Sequence, residues 1–511
     1  MSDISQSNKR IAKNTMFMYI QFFVNLAIGL YTSRVVLQVL GVSDYGLYAV
    51  VGGILTMFTF LSSSLGGATT RFLNFEMGMR DGDVNRAFNI NVVLHLFFAL
   101  LVFIAAETGG LFYIFKYLVV EEGKLGDAVF VFEVAIITAC LGINNTPFNA
   151  LFRAKEKFGF LAVLDIAQVL IRLGLIVMLK FYNGNSLRLY ALIMSFTTVS
   201  SFIVFRIYAN HHWAEIIKYK FIRGWHYYKE VLVFGWWNLL STLAVMARTS
   251  GSDMLLNAFF GTAVNGAYAL SRSVADYAIN VSSHFEGASA PQITQSYSGN
   301  DMNRCSYLVN KMGKISLLLY LAVFFPLYIE LDFVLHLWLG VVPDGVLVLC
   351  KINLILGLVS LTSSGLVTYI NATGKIVWFK ILMSSLLIIC IPVGYILFKL
   401  GLPYYILPIL FIVADIIHRV FQFILLRKIT NYNVMSYIKE AYIRPFIIVA
   451  IMSLVLYLYG FLGIGLTPVA KTLAIVFCFM LTAILVLFIG LKTNERTKVV
   501  SFVTNKLHHG K

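Results

Sequence analysis

The sequence predicts an all-α integral membrane protein of about fourteen transmembrane helices, two six-helix bundles followed by two further helices. Three observations predict it. The first is composition. A soluble domain is about 45–50% apolar and about 25% charged, whereas this 511-residue chain is 59% apolar and 13% charged, with mean hydropathy +0.82. So few charges cannot cover a soluble core of that size, and lipid must be the solvent. The second is a series of long apolar runs with a one-sided distribution of basic residues. The third is an internal duplication.

The apolar runs lie near residues 14–34, 45–68, 87–105, 129–150, 158–180, 189–207, 230–250, 261–284, 312–331, 346–370, 376–398, 403–426, 445–463 and 470–491. Of the 40 Lys and Arg, 28 fall in the segments on the N-terminal side of the bilayer. Eight fall on the other side, among them Arg34, Lys116, Lys124, Arg188 and Lys399, and four lie inside runs, Arg172, Arg272, Lys351 and Arg419. That split follows the positive-inside pattern and places both termini in the cytoplasm. The net charge of +16 is therefore topological. No basic patch is interleaved with a soluble module, so a nucleic-acid partner is not expected. Residues Ser2 to Ala12 are polar and the first apolar run is too long for a cleaved signal, so no processing is expected. Cys140, Cys305, Cys350, Cys390 and Cys478 are scattered without metal-ligand spacing and read as buried, inert thiols rather than a disulfide framework. Trp225, Trp236, Trp338 and Trp378 sit near the ends of runs, where interfacial anchors belong.

The duplication appears when residues 41–50, GVSDYGLYAV, are set beside residues 261–270, GTAVNGAYAL; both fit G-x-x-x-x-G-x-Y-A. At the same offset of 220, Ser62 and Ser63 align with Ser282 and Ser283, and Gly67 and Ala68 with Gly287 and Ala288, giving eight identities in 28 positions. Asp83-x-Asn85-Arg86 recurs as Asp301-x-Asn303-Arg304 at an offset of 218. Gly, Ala and Ser are common in apolar sequence, but the shared order of Gly, Tyr, Ser pair and Gly-Ala favours a real repeat. The offset spans six runs, an even number, so both copies enter the membrane in the same direction, as parallel repeats do. The expected organisation is a bundle over 1–210, a cytoplasmic linker over 211–229, a second bundle over 230–427, two extra helices over 428–491 and a basic tail over 492–511.

Ionisable groups inside a bilayer are costly, roughly 2.5–3.5 kcal/mol for Arg or Asp at a helix centre on insertion scales, so each needs a reason. In the fifth run Asp165, Gln168 and Arg172 share one helical face; in the eighth, Arg272, Asp276 and Asn280 do; in the twelfth, Asp415, His418, Arg419 and Gln422 form a third stripe. The first run adds the uncharged Gln21, Asn25 and Thr32. These stripes are expected to line a wet cavity. Arg172 and Arg272 are the candidates for binding a diphosphate, because a guanidinium takes phosphate oxygens in a bidentate manner. Asp165 and Asp276 are their candidate counter-ions, and the alternative is that each pair only fixes helix packing. Positions equivalent to Arg272 and Asp276 in the first copy are Gly52 and Thr56, so these charges are not shared scaffold. Asp415 and His418 are candidates for proton or cation coupling, with a structural cluster as the alternative. His95 reads as a core histidine, and Pro326 and Pro392 as kinks or hinges. No catalytic constellation, cofactor motif or metal site is visible. The nearest approach to a Walker loop, ending Gly374-Lys375, has Tyr369 where its first Gly belongs.

The Asn14-Thr15 opening, the Leu40-Gly41-x-x-x-Tyr45-Gly46-Leu47-Tyr48 stretch and the Arg71-Phe72 pair, together with the two-bundle organisation, resemble the polysaccharide flippases of the O-antigen and capsule (Wzx-type) branch. These belong to the superfamily that also holds the multidrug and toxic compound (MATE) exporters and the lipid II flippases. The resemblance covers essentially the whole chain. It implies a MATE-like fold in the bacterial inner membrane and movement of a polyprenyl-diphosphate-linked oligosaccharide from inner to outer leaflet by alternating access. It also implies a lipid-linked oligosaccharide, membrane lipid and a polysaccharide polymerase as partners; the sequence does not set the oligomeric state, for which a monomer is favoured. Two other classes stay open. An exporter of amphipathic cations from the same superfamily should show a net acidic lumen, whereas the stripes carry about as many arginines as aspartates. A membrane-embedded polymerase or glycosyltransferase needs a sizeable outward loop bearing an acid or base. The longest, about 106–128, mixes Glu121, Glu122 and Asp127 with Lys116 and Lys124 and reads as a solvated surface.

Overall fold

The computed structural model describes Arg10, residues 13–25, positions 27, 28, 32, 35, 36, 39, 40, 44, 47 and 48, and residues 65–116, 123–340, 342–430, 432–462 and 467–497. Most of the second apolar run, part of the first, the first copy of the repeated motif except at a few positions, Glu121 and Glu122, and the end of the basic tail lie outside them. The described residues are helical and hold no strand. The long helices are α1 (Val84–Ala105), α2 (Leu125–Ala154), α3 (Phe158–Met178), α4 (Ser186–His212), α5 (Trp225–Ser298), α6 (Met302–Ile329), α7 (Val346–Leu361), α8 (Ser364–Thr373), α9 (Val377–Lys399), α10 (Ile406–Thr430), α11 (Ile443–Leu462) and α12 (Pro468–Leu485). Within α5 the backbone leaves helical geometry at Gly261 (φ 79°, ψ −178°), a conformation open to glycine, so α5 is two helices in succession.

By length and apolarity ten described helices can cross a bilayer, and the bent pair α7–α8 makes an eleventh. These are the third to seventh and ninth to fourteenth predicted runs. The eighth run is helical, as the second half of α5, but its polar stripe keeps it below the same apolarity. The count of fourteen remains the expectation of the sequence. Helices overrun the predicted spans, as α2 does, because helical structure continues past the apolar stretch into flanking polar turns. Leu96, Phe97, Leu100 and Ile104 lie outward on α1 while Asn91 and His95 are buried. That inversion of the soluble pattern marks a lipid-facing surface. Trp225, Trp236, Trp338 and Trp378 are all exposed, as anchors at an interface are.

The chain divides into two compact units, Met1–Thr242 with Ala290–Asp301, and Leu243–Ser289 with Met302–Lys511. In the first unit Phe152, fully buried, gathers the rings of Phe160, Phe205, Tyr208 and Trp213 within 5.1 Å between centroids. Asp83 caps α1 through the Arg86 N–H at 2.9 Å, and Asp301 stands at the same place before α6. Asn85, from that motif, donates to the carbonyls of Glu215, Ile216 and Lys218 at 2.8–2.9 Å. Asn89 adds Lys218 O and the Lys220 N–H, so the segment after α4 is held on the start of α1.

In the second unit α6 is the central helix. Tyr320 donates to Leu354 O at 2.6 Å, and Gly365 brings α8 so close that a Cβ there would lie 2.2 Å from Val309 O. The 44° bend between α7 and α8 has a local cause. Thr362, Ser363 and Ser364 each turn their hydroxyl back on a carbonyl three residues earlier, at 2.6, 3.0 and 2.8 Å, and such back-bonding competes with the helical ladder. Pro326 and Pro392 lie inside continuous helices. None of the five cysteines is in a disulfide.

After α12 the chain is tied to α6. Lys314 is 3% exposed and meets the Glu495 carboxylate, 17% exposed, at 2.6 Å, and Glu495 also accepts the Lys492 N–H at 2.9 Å. Burial pushes the Glu495 carboxyl up, but these hydrogen bonds and the surrounding lysine charge outweigh it and hold it below the ordinary carboxylate range. Its stabilisation is therefore complete above the unfolded-chain value and is lost as pH falls through the lower folded value. Glu495→Gln strands a buried ammonium and should cost roughly 2–4 kcal/mol, whereas Lys314→Met with Glu495→Leu should cost much less. Thermal unfolding of the purified protein in detergent checks the order: a double variant no more stable than the single one contradicts it.

Candidate functional site

In the first unit the polar residues of the first and fifth runs come together. Gln21 Nε2 donates to Asp165 Oδ2 at 2.9 Å and Asn25 Nδ2 donates to the same oxygen. The Asp165 charge is thus held by two amides, and no cation pairs with it among the described residues. Three residues on, buried Gln168 donates to Ser200 and Ser201 of α4 at 2.8 and 3.0 Å. Arg172, at the end of the same stripe, is half-buried and makes no ion pair or hydrogen bond among the described residues. The expected Asp165–Arg172 pair is therefore not formed. Arg206 of α4 lies over Phe202 and Phe148, at 3.3 and 4.4 Å from the ring centres, a cation on aromatic faces.

In the second unit the two halves of α5 supply a denser set. Arg272 Nη2 bonds both oxygens of Asp253 at 2.9 Å, and the guanidinium lies 4.9 Å from the Tyr268 ring, the tyrosine of the repeated motif. The carboxylate that Arg272 meets is Asp253 and not Asp276. Arg272 Nη1 is buried and has no hydrogen-bond partner. Asp276 is exposed one turn along, where Arg272 and Arg248 both act on its charge. Asn280 is exposed on the same stripe. Arg248 packs over Phe411 of α10 at 4.6 Å, and the charges of Arg248 and Asp415 both reach Cys390. Arg248 and Asp253 escaped the sequence reading because they flank the end of the seventh run. Arg248 counted among the eight outward basic residues, and only the five-residue spacing across Gly251 linked it to an acid.

The third stripe surrounds the bend between α7 and α8. Ser360 donates to Asp415 Oδ2. Arg419 Nε donates to Thr362 Oγ1 at 2.9 Å, and Arg419 Nη1 donates to Gln422 Oε1. The Thr362 carbonyl accepts the hydroxyls of Tyr437 at 3.0 Å and Tyr442 at 2.7 Å. His418 is buried, and its Nε2 has no partner. His95, in the first unit, is buried with Nδ1 2.7 Å from Asn91 O and Nε2 unpartnered. Among the described residues no group of three or more His, Cys, Asp or Glu gathers to hold a metal. Chemically, these stripes offer guanidinium donors, one of them partly unused, in apolar surroundings. That suits the recognition of an anion more than its covalent modification.

A family profile described as polysaccharide biosynthesis protein matches residues 35–341, more than half of the chain. Three solved structures share the fold at low identity. A MATE point mutant is 14% identical over 85% of this chain and 97% of its own, with a TM-score of 0.71. An outward-facing multidrug resistance MATE family transporter of the MOP superfamily is 15% identical over 83% and 95%, with a TM-score of 0.69. A MOP superfamily transporter from Pyrococcus furiosus, described as having a binding pocket of reverse polarity, is 16% identical over 81% and 95%, with a TM-score of 0.67. No curated protein matches the sequence. The fold is MATE-like, as the sequence predicts.

If the α5 stripe faces water, its exposed charges are accessible and its buried neighbours are not. Asp276→Cys and Asn280→Cys should react with a membrane-impermeant maleimide, while Ser271→Cys, fully buried on the same helix, should not. Equal protection of all three positions from both sides of the bilayer would mean the stripe is packing.

Proposed function

We propose a function on one premise: this chain belongs to the polysaccharide biosynthesis protein family. It is a flippase of the bacterial cytoplasmic membrane that carries a polyprenyl-diphosphate-linked oligosaccharide from the inner to the outer leaflet by alternating access, a transporter and not an enzyme. The MATE-like fold supports a transport role. The observation that carries the substrate class is the pair of guanidiniums in the second unit. Arg272 keeps a buried Nη1 donor unused beside Asp253, and Arg248 lies in the same electrostatic neighbourhood. A diphosphate oxygen satisfies that donor, and in scarce water such a charge-assisted bond is strong. Arg172, with no acid paired to it among the described residues, contributes the corresponding group of the first unit. Asp276 and Asp253 balance the arginines when no substrate is bound; Asn280 in the second unit and, in the first, Asp165 held by Gln21 and Asn25 are polar groups suited to sugar hydroxyls.

The membrane supplies driving force without nucleotide. With the cytoplasm negative, outward movement of an anion is downhill by about 2.3 kcal/mol per charge per 100 mV. A diphosphate of about two charges gains roughly 4–5 kcal/mol on that basis. Partners on this reading are the lipid-linked glycan, the bilayer and a polysaccharide polymerase; no nucleic acid and no cofactor enter. An amphipathic-cation exporter calls for a net acidic lumen, whereas this cluster sets two arginines, Arg248 and Arg272, against two aspartates, Asp253 and Asp276.

Deleting the gene should cause a lipid-linked glycan to accumulate on the inner leaflet, and the intact gene should clear it. Arg172→Gln and Arg272→Gln should insert normally and each fail to restore clearance. Full clearance by both variants removes the arginines from the mechanism, and no accumulation on deletion removes the substrate class.

A further inference from the structure

We propose that Glu286 is a proton-binding site of the second unit. The further step, that its proton is exchanged during transport, rests on the transporter reading above. Glu286 lies on the second half of α5, where neither the substrate stripe nor the expected coupling residues Asp415 and His418 use it. Its Oε1 is sealed from solvent and has no hydrogen-bond partner. No cation pairs with it among the described residues. Facing the carboxyl are two hydroxyls, Ser316 of α6 and Ser364, the first residue of α8 beyond the bend. Ser316 is fully buried, and its hydroxyl and the sealed Glu286 oxygen have no partner other than this serine–carboxyl contact among the described residues.

An enclosed carboxylate without a cation costs far more than a neutral group, and such sites take up a proton or hold a metal ion. No metal-holding group of His, Cys, Asp and Glu is present among the described residues. Two hydroxyl oxygens are too few for the six to eight oxygen ligands of a hard cation such as Ca²⁺. A proton needs only the geometry at hand, since a neutral Glu286 has an O–H to give to a hydroxyl oxygen.

The bend connects this carboxyl to the rest of the unit. Tyr437, fully buried, feels the charges of Glu286 and Arg419 and the hydroxyls of Tyr442 and Tyr432. Tyr437 and Tyr442 share the Thr362 carbonyl, and Arg419 holds the Thr362 hydroxyl. Beyond Arg419 lie His418, with Lys380 near it, and the Ser360–Asp415 bond. His284 is the nearest other titratable group on α5 itself. A change of charge at Glu286 is therefore felt across the bend, which is the break in an otherwise continuous span. The duplication points the same way. Glu286 aligns with Gly66 of the first copy, so the carboxyl is an addition to the repeated scaffold.

The test uses the full-length protein in lipid nanodiscs and a pH step followed by infrared difference spectroscopy, with the proton as the only ligand. Wild type should show a protonated-carboxyl band that titrates; Glu286→Gln should lose it, and Glu286→Asp should keep a shifted band, which separates loss of the group from misfolding. An unchanged titrating band in Glu286→Gln, or a band that responds to sodium and not to pH, overturns the site. In the deletion host Glu286→Gln should fail to clear the accumulated lipid-linked glycan. If it clears the glycan as wild type does, proton exchange in transport is overturned while the flippase reading stands. If the host accumulates no glycan, the flippase reading fails and the infrared result still decides the site.

Discussion

A polar group inside hydrocarbon must find its partner within the protein, and most of what distinguishes this chain follows from that constraint. Its helices are long and outwardly apolar because lipid offers no hydrogen bond. Where the ladder of the tenth span is interrupted at Thr362, two tyrosines and an arginine gather on one residue to restore what was lost. Where Lys314 is buried, the chain returns after the last helix to bring Glu495 to it. The charges that remain incompletely satisfied stand out against that background.

The same constraint separates completed ion pairs from incomplete ones. Lys314 and Glu495 answer each other, and the carboxylate is completed by a backbone N–H. Arg272 is different: Asp253 occupies one terminal nitrogen with both of its oxygens and leaves the other nitrogen buried and unmet. Arg172 has no acid among the described residues. A pair whose purpose is packing gains nothing by leaving donors unmet, since each costs its desolvation. A pair whose purpose is to hold a site open for an anion must leave them so.

The helices were legible in the sequence because their signal is collective: most side chains in each span are apolar and agree. That Asp165, Gln21 and Asn25 come together was legible, because polar residues on separate apolar helices have few places to go but toward one another. Which residue bonds which was not legible. Asp165 takes amides and leaves Arg172, and Arg272 takes Asp253 in place of Asp276, because partner choice depends on how neighbouring helices are rotated, which periodicity within one helix does not encode. Arg248, Asp253 and Glu286 were missed for a related reason. They stand at or beyond the ends of apolar runs, where a charge reads as solvated loop, whereas α5 carries helical structure through all three positions. The bend at Thr362 had a visible cue in the run Leu361-Thr362-Ser363-Ser364-Gly365, but only a bent helix shows that the hydroxyls fold back on their own carbonyls.

The repeat gives a measure of which features the scaffold requires. Its two copies share what packing needs: Ala68 and Ala288 are both fully buried, and an aspartate stands before both α1 and α6. Arg272, Asp276 and Glu286 have Gly52, Thr56 and Gly66 as their counterparts, so a lobe of this design is built without them. All three are ionisable groups on a helix whose own apolarity falls short of an ordinary span, and each adds to its insertion cost. One copy of the repeat thus carries ionisable groups that weaken it as a membrane helix and that the other copy lacks, which is what the anion and proton sites proposed above require.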